Sequence, residues 1–212
     1  MNICVFGDSI VWGAYDPENG GWATLLRNYF ESADSPPYFR EAGDVEVYNC
    51  GVSGDKTEDL LKRFEVEAQA REPNLIIFAI GINDSPILLS SNQRRVSDEN
   101  FKNNIFKLHT HSSKFTQQII FVGFTPIDDG KTSPWDDEKA YRQEGASHFD
   151  QIIQKYCDDN KLIYIPLQEV LSKKDLYDGL HPNTEGHRKI FEIIKPVVEK
   201  MLQYGGATTE DQ

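Results

Sequence analysis

The chain has 212 residues, of which 39% are hydrophobic, and this supports one substantial core but is short for two. Its formal net charge of −12 repels phosphate backbones and anionic membrane surfaces, which excludes nucleic acid as an expected partner. No apolar run approaches the roughly 20 residues of a membrane helix, and the residues up to the first predicted strand do not have the pattern of a secretory leader. The three cysteines lack the spacing of a disulfide or zinc framework. We therefore expect a cytoplasmic globular protein with no membrane insertion.

Short apolar segments alternate with longer amphipathic ones along the chain, which is typical of βαβ units on a parallel sheet. The predicted strands are 2–6, 45–49, 75–80, 118–124 and 162–165. The predicted helices are 21–32, 57–71, 98–111, 138–159 and about 183–204, and Gly145 is a candidate interruption of the fourth. We predict a single domain over 1–204, followed by a disordered tail over 205–212 that has nothing apolar to bury.

Four polar segments follow the predicted strands or precede the last helix. They are "GDS" (7–9), "NCGVSG" (49–54), "GIND" (81–84) and "DGLHP" (178–182). In an open α/β sheet, ligands bind at the edge formed by the carboxyl ends of the strands. The four segments are therefore predicted to face one crevice.

Each segment alone has a structural interpretation, because Asp8 or Ser9 can cap a helix and Asn83 and Asp84 are common turn residues. Together they offer complementary chemistry. A serine nucleophile needs a base, the base needs a carboxylate that orients it, and the developing oxyanion needs hydrogen-bond donors. The combination favours a hydrolytic serine over four unrelated turns.

In this order, the four segments resemble the signature blocks of the SGNH, or GDSL-type, hydrolases, with Ile10 where the family usually has Leu. The resemblance covers most of the chain. It implies a three-layer α/β/α sandwich with a flavodoxin-like, five-stranded parallel sheet in the order 2-1-3-4-5. It also implies a serine esterase that cleaves a small-molecule carboxylic ester through an acyl-serine intermediate and needs no cofactor or metal.

Carried over residue by residue, the resemblance implies that Ser9 is the nucleophile, His181 the base and Asp178 the group that orients the imidazole. It further implies an oxyanion hole formed by the backbone N–H groups of Ser9 and Gly51 and the side-chain amide of Asn83. These residue types suit the roles, since glycine permits close approach of the backbone and an asparagine amide is a neutral, directed donor.

The one long irregular stretch, 125–138, leaves the carboxyl end of the fourth predicted strand and should lie on the same rim as Ser9. It carries Pro126, Pro134 and Trp135, and we predict that Trp135 closes a small acyl pocket suited to a short acyl chain or an O-acetyl group. Packing of Trp135 against the following helix is the structural alternative. Lysophospholipids, longer acyl esters and acyl thioesters are chemically compatible alternatives.

Other chemistries fit the sequence less well. Cys50 borders an oxyanion segment and is a rival nucleophile, although burial as a small apolar residue suits it better. A non-catalytic flavodoxin-like module would bind a phosphate after the first strand, but the loop there is short and carries one hydroxyl. A receiver domain would use Asp84, but the acidic pair after the first strand is missing and "DGLHP" would have no role. No metal site is predicted from the remaining histidines, which are His109, His111, His148 and His187.

Overall fold

The computed structural model describes residues 1–32, 35–37, 39 and 45–205. A five-stranded parallel sheet runs through these residues. Its strands are β1 (Asn2–Gly7), β2 (Glu46–Gly51), β3 (Leu75–Ala79), β4 (Ile119–Val122) and β5 (Ile163–Ile165). The order β2-β1-β3-β4-β5 confirms the predicted topology.

Two groups of helices cover the sheet. The long helices are α1 (Gly21–Glu31), α2 (Thr57–Arg71), α3 (Asp98–Ser112), α4 (Gln143–Asn160) and α5 (Thr184–Gly205). α1 packs against α5, whereas α2, α3 and α4 pack in succession. This arrangement confirms the three-layer α/β/α fold. Along the described part of the chain, no helix is both long and apolar enough to cross a membrane.

The inner strands are buried on both faces, which explains their nearly continuous apolar sequences. All residues of β4 are buried, and phenylalanines pack across the sheet, with ring centroids 6.0 Å apart for Phe6 and Phe78 and 5.1 Å apart for Phe78 and Phe121. Phe64 of α2 meets Phe6 edge-on at 4.9 Å. These contacts fix the helix layer on the sheet and hold the strand ends in place.

The register of β1 brings three polar segments to one point of the sheet edge. Gly7 pairs with Gly51 of β2 on one side and with Ala79 of β3 on the other. A Cβ on Gly7 would lie 2.3 Å from the Ala79 carbonyl oxygen and 2.2 Å from a methyl of Val11, so only glycine fits there. The chain leaves β1, β2 and β3 side by side, as the crevice prediction requires.

The region before α4 differs from the prediction. α4 begins at Gln143, not at 138, because Lys139–Ala140 forms a short strand. It pairs with Ile87–Leu88, which pairs in turn with Gln93–Arg94, and the three make a small antiparallel sheet. Strands of two residues are too short to show alternation in the sequence. Gly145 lies inside α4 and does not interrupt it.

The stretch 125–138 is also less irregular than predicted, since Asp129–Thr132 forms a helical turn within it. The predicted disordered tail falls almost wholly outside the described residues. Only its first residue, Gly205, is described, as the end of α5.

Candidate active site

Ser9 begins a helical turn, Ser9–Trp12, directly after β1. The Asp8 carboxylate caps this turn by accepting the Ile10 N–H at 2.9 Å, so the Ser9 hydroxyl is not needed as a cap. Of the two caps that the sequence allowed, Asp8 or Ser9, the structure therefore has Asp8. Burial raises the pKa of Asp8 to about 7, although the bond from Ile10 acts in the opposite direction. Asp8 therefore supports the turn that presents Ser9.

Ser9, His181 and Asp178 form one chain of hydrogen bonds. The Ser9 Oγ lies 2.9 Å from His181 Nε2, and His181 Nδ1 lies 2.7 Å from Asp178 Oδ2. Because an ionised carboxylate only accepts, the proton on the ring belongs on Nδ1, which leaves Nε2 free to accept the Ser9 proton. The structure thus brings together the three residues that the sequence resemblance implied.

The Asp178 carboxylate is held by its own loop. Its Oδ1 accepts the backbone N–H groups of Leu180 at 2.9 Å and His181 at 2.8 Å. Partial burial alone would raise the pKa of Asp178, but the bonds from the His181 ring and from these two N–H groups outweigh it and lower the pKa. The carboxylate is therefore ionised and oriented at neutral pH.

Asn83 lies in a 3-10 turn, Ile82–Asp84, that follows β3. Its side chain is buried, and its Nδ2 donates to the Asp55 carbonyl oxygen at 3.1 Å. Its Oδ1 accepts the Tyr141 hydroxyl at 2.7 Å. Since Oδ1 accepts from a hydroxyl, the amide orientation is fixed, and the second N–H of Nδ2 is available to a ligand. Sequence reasoning missed Tyr141, which lay inside the predicted fourth helix.

The turn that carries Asn83 is held in place by hydrogen bonds to the first residue of α2. The buried Asp84 carboxylate accepts both the N–H and the hydroxyl of Thr57, the first residue of α2, and Asn104 donates to the Thr57 hydroxyl at 2.9 Å. Burial raises the pKa of Asp84 to about 7 against the effect of the Thr57 bonds. Asp84 thus joins the Asn83 turn to the start of a helix.

Gly51 and Gly54 differ in whether their backbone N–H groups are already hydrogen-bonded. The Gly51 N–H donates to Asn49 Oδ1 at 3.0 Å, and a Cβ there would lie 2.3 Å from the Trp12 nitrogen. Gly54 has φ of +85° and lines the cavity that contains Ser9, and its N–H makes no hydrogen bond within the described residues. The N–H of Gly51, the predicted oxyanion donor, is therefore already hydrogen-bonded, and the lack of a Cβ there lets the Ser9 turn pack closely.

A cavity of about 510 Å³ surrounds Ser9 and His181. Trp135 lines it, with its ring centroid 6.0 Å from that of His181 and 5.6 Å from that of Tyr141, which it meets edge-on. The Trp135 ring also packs against the hydrophobic core. The stretch 125–138 thus places Trp135 in the cavity wall that also contains Ser9, and its acyl-pocket role stays a prediction.

The rival groups lie elsewhere. Cys50 is buried in β2 and does not line the cavity. His187 is fully buried, with Nε2 3.0 Å from the Ala14 carbonyl oxygen, and burial lowers its pKa. Over the described ranges of the chain, no group of three or more His, Cys, Asp or Glu could hold a metal ion.

Comparisons with known proteins agree with this geometry. The model of the GDSL-like Lipase/Acylhydrolase family matches residues 5–189. An arylesterase of Vibrio mimicus is 26% identical over 205 residues, which are 94% of this chain and 89% of that protein. The lipoprotein YqeF of Bacillus subtilis is 27% identical over 134 residues, 61% of this chain, and the match spans 50% of its own length.

Among solved structures, the lipase/acylhydrolase from Enterococcus faecalis has the same fold, with a TM-score of 0.71 at 24% identity over 94% of this chain and 95% of that one. The family match extends from β1 into α5 and includes the segments that carry Ser9, Asn83 and His181. The chain therefore belongs to the GDSL-like lipase/acylhydrolase family, a family of ester hydrolases.

Proposed function

We propose that this protein hydrolyses carboxylic esters with a short acyl chain, including O-acetyl esters, through an acyl-serine intermediate. The observation that carries the proposal is the chain of hydrogen bonds from Ser9 Oγ through the His181 ring to Asp178. It opens onto a cavity large enough for a small ester. The family and the arylesterase relative support ester hydrolysis as the reaction.

In the first displacement, Ser9 Oγ attacks the ester carbonyl carbon while His181 Nε2 accepts the hydroxyl proton. The bond between that carbon and the alcohol oxygen then breaks, and His181 returns the proton to the departing alcohol. In the second displacement, water attacks the acyl-serine with His181 again as the base, and the carboxylic acid leaves. Asp178 stabilises the imidazolium that forms in both steps.

Three donors are proposed for the developing oxyanion: the backbone N–H groups of Ser9 and Gly54 and the Nδ2 of Asn83. Ser9 heads a helical turn, Gly54 has an unengaged N–H among the described residues, and the Asn83 amide is held in one orientation. Donors that are fixed before the reaction stabilise charge without reorganising, which is the main source of rate enhancement at such sites.

We propose that the wall formed by Trp135 and Tyr141 limits the size of the acyl group. Their rings meet edge-on beside His181, which limits the space for a long chain at that side of the cavity. The net charge of −12 also disfavours adsorption to anionic lipid interfaces. A short acyl group fits both observations.

Rapid mixing with 4-nitrophenyl acetate tests the acyl-serine. We expect a burst of 4-nitrophenol close to one equivalent per active site, followed by a slower steady state, and an acetyl group on the peptide that contains Ser9 after acid quenching. Prior labelling of Ser9 with a fluorophosphonate should remove the burst. Hydrolysis that persists in fully labelled enzyme would refute Ser9 as nucleophile.

A further inference from the structure

Exposed aromatic rings are concentrated at the entrance of the cavity. Trp12, Tyr15 and Tyr177 are 60%, 47% and 61% exposed, and we call them the aromatic surface. The rings of Tyr15 and Tyr177 stack with centroids 4.4 Å apart and an interplanar angle of 14°. The Tyr15 centroid lies 5.2 Å from that of His181, and both Trp12 and Tyr15 line the cavity. Apolar area exposed beside a reactive serine indicates a ligand contact.

The backbone that carries Tyr15 is held in an unfavourable conformation. Tyr15 has a φ of +62°, a backbone conformation that residues other than glycine rarely adopt. Its neighbours are tied to two helices: His187 Nε2 donates to the Ala14 carbonyl oxygen at 3.0 Å, and Asp16 accepts the Thr184 hydroxyl at 2.9 Å and the Gly21 N–H at 3.2 Å. The fold therefore fixes the Tyr15 ring beside the cavity.

The charge of the cavity wall is opposite to that of the whole protein. The chain has 34 acidic and 22 basic residues, yet the charged residues lining the cavity besides His181 are Arg95 and Lys139, both basic. The Lys139 ammonium pairs with Asp136. Arg95 is exposed and forms no ion pair with any described residue, so its guanidinium is available to an anion.

From these observations we propose that the alcohol part of the substrate is an acidic carbohydrate, whose ring stacks on the aromatic surface and whose carboxylate pairs with Arg95. The proposal rests on the ester hydrolysis proposed above. A sugar ring has an apolar C–H face for an aromatic ring and hydroxyl groups that stay in water, which suits rings that are half exposed. A guanidinium binds a carboxylate with two parallel hydrogen bonds.

The bonds that form and break are those of the ester hydrolysis proposed above. Ser9 Oγ attacks the carbonyl carbon of an O-acyl group on the sugar, and the sugar hydroxyl leaves with the proton from His181. Water then releases the acyl group as a carboxylic acid. The aromatic surface stacks on the leaving alcohol and Arg95 pairs with its carboxylate, while Trp135 faces the acyl group.

The charge contact is tested with Arg95→Gln, measuring kcat/KM for O-acetylated glucuronate, O-acetylated xylose and 4-nitrophenyl acetate. Wild type should prefer the acidic sugar ester to the neutral one, and Arg95→Gln should reduce that ratio about tenfold, mainly through KM. Raising NaCl from about 0.05 M to about 0.5 M should reduce it in wild type. An unchanged ratio in Arg95→Gln, or a wild type without the preference, would overturn the proposal.

Arg94→Gln is the matched control, because Arg94 is adjacent, carries the same charge and does not line the cavity. Its guanidinium lies 4.0 Å from the Asp98 carboxylate and 5.4 Å from the centre of the Phe149 ring. The ratio of acidic to neutral sugar ester should be the same in Arg94→Gln as in wild type. An equal reduction in both variants would assign the effect to net charge and contradict the proposal.

Stacking is tested with Tyr177→Ala and Tyr177→Phe. The alanine variant should lower the ratio of kcat/KM for the acidic sugar ester to that for 4-nitrophenyl acetate about tenfold, and the phenylalanine variant should keep it. Phe106→Ala, which removes a ring 54% exposed on α3, is the control and should have no effect. A reduction with 4-acetoxybenzoate but not with sugar esters would indicate an acidic aryl ester and overturn the carbohydrate.

The two proposals can fail separately. If 4-nitrophenyl acetate shows no burst at Ser9, the acyl-serine reaction itself is refuted. If the burst is present and the sugar esters show no dependence on Arg95 and Tyr177, only the acidic carbohydrate is refuted.

Discussion

Two carboxylates at the same edge of the sheet have pKa values that are shifted in opposite directions. Asp8 and Asp178 flank the Ser9–His181 pair, but the pKa of Asp8 is raised to about 7 and that of Asp178 is lowered. Asp8 is fully enclosed and has one backbone N–H as its donor, whereas Asp178 is part-buried and receives two backbone N–H groups and an imidazole. Burial without a titratable donor favours the neutral acid, and a histidine partner reverses this effect.

The Asp8 and Asp178 carboxylates are therefore expected to have different roles. In the proposed mechanism Asp178 stays ionised to stabilise the imidazolium, so its removal should affect the rate. Asp8 holds a backbone turn in either protonation state, so its ionisation should affect the free energy of unfolding. Substitutions at the two positions should therefore separate effects on the rate from effects on stability.

Ser9→Ala removes the proposed nucleophile and should lower kcat for 4-nitrophenyl acetate by about 10⁴ to 10⁶. The fold should be retained, because the turn is capped by Asp8 and not by the Ser9 hydroxyl. Steady-state hydrolysis and thermal unfolding would be measured on the same preparation. Near wild-type turnover in the folded variant would refute the assignment.

Asp178→Asn keeps the shape of the side chain but loses its charge and favours the wrong histidine tautomer. We expect a loss of about 10⁴ in kcat. The matched Asp8→Asn variant keeps an oxygen for the Ile10 N–H and should lose far less. Equal losses in the two variants, measured with the same ester, would remove the distinction between the carboxylates.

Asn83→Ala removes one oxyanion donor and should lower kcat by about 10² to 10³ with little change in KM. Asn83→Asp, which retains the oxygen that accepts from Tyr141 but loses the Nδ2 donor, should be similarly impaired. A change confined to KM would move Asn83 from the oxyanion hole to ground-state substrate binding.

The raised pKa of Asp8 predicts how stability depends on pH. Between the ordinary aspartate pKa near 3.8 and about 7, the folded protein holds a proton on Asp8 that the unfolded chain has released. The contribution of Asp8 to the free energy of unfolding is therefore complete below about pH 4 and is lost as pH rises to 7. Asp8→Asn should remove this decline, about 2 kcal/mol between pH 5 and pH 8 as an order of magnitude. Urea unfolding at both pH values measures it, and parallel pH profiles would contradict it.

Trp135→Ala should have the smallest effect, a change in acyl preference of a fewfold. Wild type should hydrolyse acetyl and butyryl esters faster than decanoyl esters, and loss of the indole should reduce that preference because the wall beside His181 is opened. A series of 4-nitrophenyl esters gives the profile. Activity that rises steadily from acetate to palmitate in wild type would refute the short-chain assignment.

The apolar pattern was sufficient to predict the strands and the long helices, and the family resemblance implied the sheet order and the association of Ser9, Asp178 and His181. The last two belong to one short segment, and the strand-end position of each motif determines its place in the fold. The choice between Gly51 and Gly54 as oxyanion donor could not be made from the sequence, because "NCGVSG" offers two glycines three residues apart. Pairing of Gly51 with Gly7 in the sheet, which local spacing does not reveal, leaves Gly54 at the cavity.

Tyr141 could not be predicted for a different reason. Its hydroxyl meets Asn83 across 58 positions of sequence, and its surroundings have the apolar spacing of a helix. The short strand Lys139–Ala140 stops that helix from starting earlier, and its partner at Ile87–Leu88 is equally brief. Elements this short are determined by tertiary pairing and not by local propensity.

The small antiparallel sheet has a consequence for redesign. It joins the segment that follows Asn83 to the segment that carries Trp135 and Tyr141. The wall of the cavity and the hydroxyl that orients the Asn83 amide therefore depend on the same strand pairing. Grafting either segment alone from a relative would break the strand pairing and release the Asn83 amide. Exchange of 85–97 together with 125–142 would transfer acyl selectivity as a cassette, while β1 and its reactive turn stay unchanged.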